Sequence, residues 1–221
     1  MVLVFDLDDT LYDEITFVHS GFKAVANFLN QRYGINTFES YQFMISDLAR
    51  NGRGQVFNNV LREYNLENKG NIMKCLTVYR VHLPDITLSA DANTCLNCFA
   101  SLNKYIVTDG NKVVQHNKIK ALGLYSRVKK CFITHRYGVV HSKPSPYCFL
   151  KICEIEKTAT SKVVYIGDNP KKDFVNIKPL GFKTIRILKG EYKNLQVDKK
   201  YDAEYKIKSL EEINEDFLRK L

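Results

Sequence analysis

MVLVFDLDDTL, residues Met1 to Leu11, runs from an apolar stretch, Val2 to Phe5, straight into three carboxylates and a threonine. A short run rich in Val and Phe predicts a buried strand, and a strand that ends in acids delivers them to the carboxyl edge of its sheet. Open α/β sheets bind their ligands at that edge. Asp6 and Asp8 stand two apart, so strand geometry carried one residue pair further would point both to one side, where they would share a substrate or a cation. Two carboxylates at one site divide the labour when their surroundings separate their pKa values, one acting as nucleophile and one as acid. The plainer alternative is an acidic turn that closes the strand and caps a helix through Asp9 or Thr10.

Three later stretches bear on that choice. They are Ile106 to Thr108 in KYIVTDGN, Lys143 in HSKPSP, and Asp168 with Asp173 in VVYIGDNPKKDF. With D-x-D-x-T after the first strand, they resemble, in order, the four motifs of the haloacid dehalogenase superfamily. The resemblance spans nearly the whole core and implies an α/β fold, a doubly wound, Rossmann-like parallel sheet with a small α-helical cap domain. It also implies roles. Asp6 would be the nucleophile that forms an aspartyl-phosphate, and Asp8 the acid that protonates the leaving alkoxide and later activates water. Thr108 and Lys143 would bind the phosphoryl group. Mg²⁺ would be held by Asp6, the backbone carbonyl of Asp8 and Asp168, with Asp173 bound through water or holding Lys143. Members that break carbon–halogen bonds lack an Asp at the second position, so Asp8 points to a phosphatase or a phosphomutase rather than a dehalogenase. A non-catalytic module on the same fold is the remaining rival.

Apart from the resemblance, each position has an ordinary alternative. Thr108 after its strand suits either a phosphate contact or a helix cap. Asp173 would be an exposed helical carboxylate if a helix starts at Pro170. Asn169 would hold a loop or touch the metal shell.

Composition agrees with a globular protein: 221 residues, 45% apolar and 26% charged, enough for one large domain or two unequal ones. Thirty-three Lys and Arg against 24 Asp and Glu give a net charge of +9, which favours anionic partners. A small phosphorylated metabolite fits. No nucleic-acid motif is found, and the basic stretch Lys189 to Lys208 reads as a solvated face. Six cysteines include a C-x-x-C pair at Cys95 and Cys98. No second pair completes a zinc site, and Cys95, Leu96, Phe99 and Leu102 fit the apolar side of a helix, so buried thiols are expected. No apolar run is long enough to span a membrane, and a strand beginning at Val2 leaves no room for a signal peptide, so a cytoplasmic setting is expected.

Between the first two motifs, residues 14–83 have helical rather than strand periodicity. Four helices are predicted, around Phe17–Tyr33, Phe38–Ala49, Phe57–Tyr64 and Ile72–Val81, as an insert in a core of residues 1–13 and 84–221. The Asn51-Gly52-Arg53-Gly54 loop interrupts them. Arg50 and Arg53 flank its turn and are candidates to contact the part of the substrate remote from the scissile phosphate. From Pro84 onward, predicted helices and strands alternate, including a helix over Pro170–Leu180 and a closing helix over Leu210–Leu221.

Overall fold

A computed structural model describes all of residues 1–221. Six parallel strands form one sheet in the order β3-β2-β1-β4-β5-β6. They are β1 (Val2–Phe5), β2 (Asn103–Thr108), β3 (Lys130–Ile133), β4 (Val163–Gly167), β5 (Lys183–Ile187) and β6 (Tyr205–Ile207). All four residues of β1 and all five of β4 are buried, as expected of strands covered on both faces. Val2 and Val4 pack with Tyr105, Val107, Val163 and Tyr165 and with Phe149 and Ile152 of helix α7 (Tyr147–Glu156). The strand order reverses direction between β1 and β4, the place where doubly wound sheets open a binding crevice.

The chain divides into two compact units, Met1–Glu14 with Thr87–Leu221, and Ile15–Ile86. The second unit is built on α1 (Glu14–Tyr33), α2 (Thr37–Asn51), α3 (Val56–Glu63) and α4 (Lys69–Val81). Its own core joins Phe22, Val25, Leu29, Met44, Val60, Leu61 and Cys75. Polar side chains set the helix starts: Asn36 accepts from the amides of Phe38 and Glu39, and Asn68 from Asn71. Gly21 lets α1 approach α4, because a Cβ there would lie 2.3 Å from the Tyr79 ring.

The helices of the first unit differ from expectation in three places. Between Pro170 and Leu180 there is no α-helix, only turns and a 3₁₀ turn at Lys178–Leu180. The Asp173 carboxylate folds back onto the Asn169 amide at 2.9 Å, and Pro179 has no N–H to donate to a helical ladder. The helix expected through Leu102 ends earlier: α5 covers Ala90–Cys98, and the buried Lys104 ammonium takes the Phe99 carbonyl at 2.6 Å. At the C-terminus, a 3₁₀ turn at Leu210–Glu212 and the short α8 (Glu215–Arg219) replace one helix, with Asn214 capping the second piece. The remaining helix, α6 (Lys112–Ala121), is capped by Asn111 rather than by Thr108. No helix is long and apolar enough to cross a membrane.

Candidate active site

Asp6 is the first residue past β1, and its amide extends the pairing with β4 by donating to the Ile166 carbonyl at 2.8 Å. Asp168 is the first residue past β4. Both carboxylates therefore stand at the carboxyl edge, on the two strands that flank the switch point. Lys143 joins them from a loop containing 3₁₀ turns at Thr134–Arg136 and Val139–His141. Its ammonium donates to Asp6 Oδ1 at 2.8 Å, to Asp173 Oδ1 at 2.7 Å and to the Tyr165 hydroxyl at 2.9 Å. The Lys143 side chain is 1% exposed and that of Asp173 is fully buried, so Asp173 is not an exposed helical carboxylate. Asn169 serves the loop: its Oδ1 accepts the Lys171 amide.

Carboxylate oxygens of Asp6, Asp168 and Asp173 all lie within 4.8 Å of one another. Burial pushes the Asp6 carboxyl up to about 6 although Lys143 pulls against it. Burial and then the charges of Asp6 and Asp173 push Asp168 further, to about 9. Burial alone would lower the Lys143 ammonium, but Asp173 and Asp6 outweigh it and hold that pKa well above the usual lysine range. Such crowding of buried carboxylates is the condition a divalent cation relieves, and an all-oxygen donor set suits a hard ion such as Mg²⁺. With both Asp173 oxygens engaged by Lys143, Tyr165 and the Asn169 amide, Asp6 and Asp168 are the better placed to hold it.

Strand geometry does not persist to Asp8. β1 stops at Phe5, and Asp8 pairs in an isolated bridge with Tyr12, so the two acids of the first motif meet separate partners. Asp8 Oδ1 accepts from Lys118 Nζ at 2.7 Å and from the Tyr12 hydroxyl, and its Oδ2 accepts from Gln115 Nε2 at 3.1 Å. Burial alone would raise the Asp8 carboxyl, but the Lys118 charge and these hydrogen bonds outweigh it and hold the group below the usual range. Thr108 is 1% exposed and its hydroxyl donates to Gln115 Oε1 at 3.2 Å. Gly110, at φ +131°, leaves room for that amide, since a Cβ there would stand 2.9 Å from Gln115 Nε2. Asp9, at φ +53°, takes the capping role by accepting the Glu14 amide at 2.9 Å. Thr10 does not share it, its buried hydroxyl having no partner.

The sequence signalled neither Lys118 nor Gln115. They lie three apart on α6, a spacing that puts both on one side of the helix, but a lysine there reads by default as solvated. Tyr165 was hidden as an ordinary strand residue. In the helical unit, Arg50 and Arg53 are exposed on either side of Gly52. Arg50 donates through Nε to the Ser46 carbonyl and, with Asp47 and Arg62, lines a cleft of ≈ 460 Å³.

Acids on adjacent strand ends, with a buried lysine bonded to the first of them, agree with a haloacid dehalogenase-like hydrolase. The chain belongs to that family, whose model matches residues 1–175, and a related HAD-hydrolase-like model matches residues 140–213. One similar protein is the glyceraldehyde 3-phosphate phosphatase of Methanocaldococcus jannaschii, 26% identical over 219 residues covering 96% of this chain and 94% of the relative. Another is the glyceraldehyde 3-phosphate phosphatase of Pyrococcus furiosus, 26% identical over 222 residues covering 97% and 91%. Among solved structures, a 2-haloacid dehalogenase from Pseudomonas syringae pv. Tomato shares 18% identity at a TM-score of 0.67, covering 100% of this chain and 99% of the other. The putative HAD-hydrolase YfnB from Bacillus subtilis shares 19% at 0.65, covering 96% and 95%. At these identities the two structures speak for the fold alone.

Proposed function

We propose that this protein is a Mg²⁺-dependent phosphatase that hydrolyses a small phosphomonoester through an aspartyl-phosphate on Asp6. The observation that carries the proposal is the separation of Asp6 from Asp8: one carboxylate stands beside Lys143 and Asp168, the other is held apart by Lys118 and Gln115. An Asp6 oxygen attacks phosphorus and the ester P–O bond breaks, the leaving alkoxide taking a proton from Asp8. Asp8 then takes a proton from a water whose oxygen attacks the phosphorus, which frees inorganic phosphate and restores Asp6. Because Asp8 is held ionised in the free protein, the proton it delivers first arrives with the substrate monoanion, whose second ionisation lies at about pH 6.

Lys143 steadies Asp6 and offers positive charge as charge spreads over the phosphoryl oxygens. The Thr108 hydroxyl lies at the carboxyl end of β2, and turning from Gln115 would free it for a phosphate oxygen. Asp6, Asp168 and the Asp8 carbonyl would hold Mg²⁺, which would supply Lewis-acid neutralisation of the transferred group. Asp173 is the residue that holds Lys143.

Residues 14–83 would act as a cap that closes on the substrate, with Arg50 or Arg53 recognising its remote end. The names of the two long relatives make glyceraldehyde 3-phosphate the first substrate to try. All six cysteines are free thiols, which suits a reducing cytoplasm.

Purified protein with Mg²⁺ should release inorganic phosphate in step with loss of glyceraldehyde 3-phosphate or of a simple aryl phosphate. Excess chelator should stop the reaction, and Asp6→Asn should retain less than about one part in 10³ of the turnover. Full activity in chelator would remove the metal from the proposal, phosphoenzyme formed by Asp6→Asn would remove the nucleophile, and substrate rearranged without free phosphate would make the protein a mutase.

A further inference from the structure

Asp8 lies in a turn beyond β1, so the strand ladder does not orient its side chain. Both of its oxygens are nevertheless taken by α6, with Lys118 on Oδ1 and Gln115 on Oδ2. The partners are buried more deeply than the acid they hold: the Lys118 side chain is 2% exposed against 22% for Asp8. Gln115 faces two ways, donating to Asp8 and accepting from Thr108, so one side chain ties the second motif to the first. Lys118 also stands 3.7 Å from Glu14.

We propose that Lys118 and Gln115 are positioning residues for Asp8, fixing the direction in which its carboxyl faces the leaving group; this rests on the acid role given to Asp8 above. Stability alone does not explain such a lysine. Replacing a buried ion pair by well-packed apolar side chains is often neutral or favourable to folding, so a charged pair kept in this position is better accounted for by what it orients. The carboxylate keeps some exposure, 22%, while both of its oxygens are held, which suits an acid that must present itself in a fixed direction to an incoming ester oxygen.

An acid of this kind matters to an alkoxide, which leaves poorly without a proton, and matters little to dinitrophenolate, which leaves readily without one. Lys118→Met and Gln115→Leu should therefore be assayed on an alkyl phosphate and on dinitrophenyl phosphate. For Lys118→Met, kcat on the alkyl ester should fall by about 10²-fold with KM within about 2-fold, the scale of a lost general acid, while the dinitrophenyl ester loses less than about 10-fold. Gln115→Leu should show the same selectivity with a smaller loss, and Lys118→Arg should recover part of it. Added to Asp8→Asn, Lys118→Met should cost little more, as expected of residues acting as a unit. Equal losses on both esters, or none on either, would overturn the inference. Asp8→Asn is read separately: if it fails to discriminate between the esters the acid assignment itself falls, whereas if it discriminates and the α6 variants do not, only the positioning role falls. Should Lys118→Met not fold, Gln115→Leu and Lys118→Arg decide by the same ratio.

Discussion

Lys143 is the residue on which two buried acids depend. Its ammonium sits 2.8 Å from Asp6 and 2.7 Å from Asp173, whose side chains are 7% and 0% exposed. Lys143→Met keeps the bulk and removes the charge, leaving those carboxylates uncompensated in a poorly solvated site. The expected loss is about 3–5 kcal/mol of stability in metal-free buffer, measured by urea unfolding, and an unchanged midpoint would show that the acids do not need it. Lys143 was legible in the sequence through its place between the second and fourth motifs, since a lysine beside Pro144 alone would have carried no signal. Lys118 was not: its meaning comes from an acid more than a hundred positions away, and no periodicity along α6 separates a buried, paired lysine from a solvated one.

Elements were read well where one pattern ruled and badly where side-chain chemistry competed with it. The four helices of the insert and the first strand follow from apolar spacing, with helix ends shifted by a few residues. The segment after Asp168 carries a helical start signal in Pro170. It forms turns instead because the Asp173 carboxylate is committed to Lys143 and to the Asn169 amide. A second tie of this type joins distant elements at Asp91, in the first turn of α5. Its carboxylate accepts from Lys189 at 2.7 and 2.9 Å, from the Ser89 hydroxyl at 2.6 Å and from the Leu210 amide at 2.9 Å.

Burial opposes ionisation of Asp91, but the hydrogen bonds of Lys189, Ser89 and Leu210 outweigh it and hold the carboxyl well below the ordinary range. A group whose folded pKa is depressed stabilises the fold above its unfolded value of about 3.9, and that contribution fades as pH falls towards the folded value. Asp91→Asn should therefore cost about 2 kcal/mol at pH 7, the scale of hydrogen bonds to a charged group. The gap between variant and wild type should narrow from about pH 5 downward in thermal unfolding. A gap that stays constant to pH 3 would mean that Asp91 acts only by shape.

At the scale of the molecule, two hydrophobic cores serve two units, one centred on the sheet and one on Phe22, Leu29 and Val60. All four motifs fall in the first unit. If Arg50 or Arg53 recognises the remote end of that substrate, Arg50→Ala or Arg53→Ala should lower kcat/KM on the preferred metabolite by about 10-fold, ~1.4 kcal/mol of transition-state binding. A small aryl phosphate should be hydrolysed as before, and a panel of metabolite phosphates would reveal both the substrate and the effect. Equal losses on both kinds of ester would mean damage to the unit as a whole. The pairing of β1 has a separate consequence for how the chain is made. Val2 lies opposite both Asn103 and Val163, so β1 is enclosed on both sides only after a strand some 160 residues further along has been made. Residues 15–86 complete their own core from neighbours in the chain, while Asp6 gains its backbone partner only once Ile166 has been made.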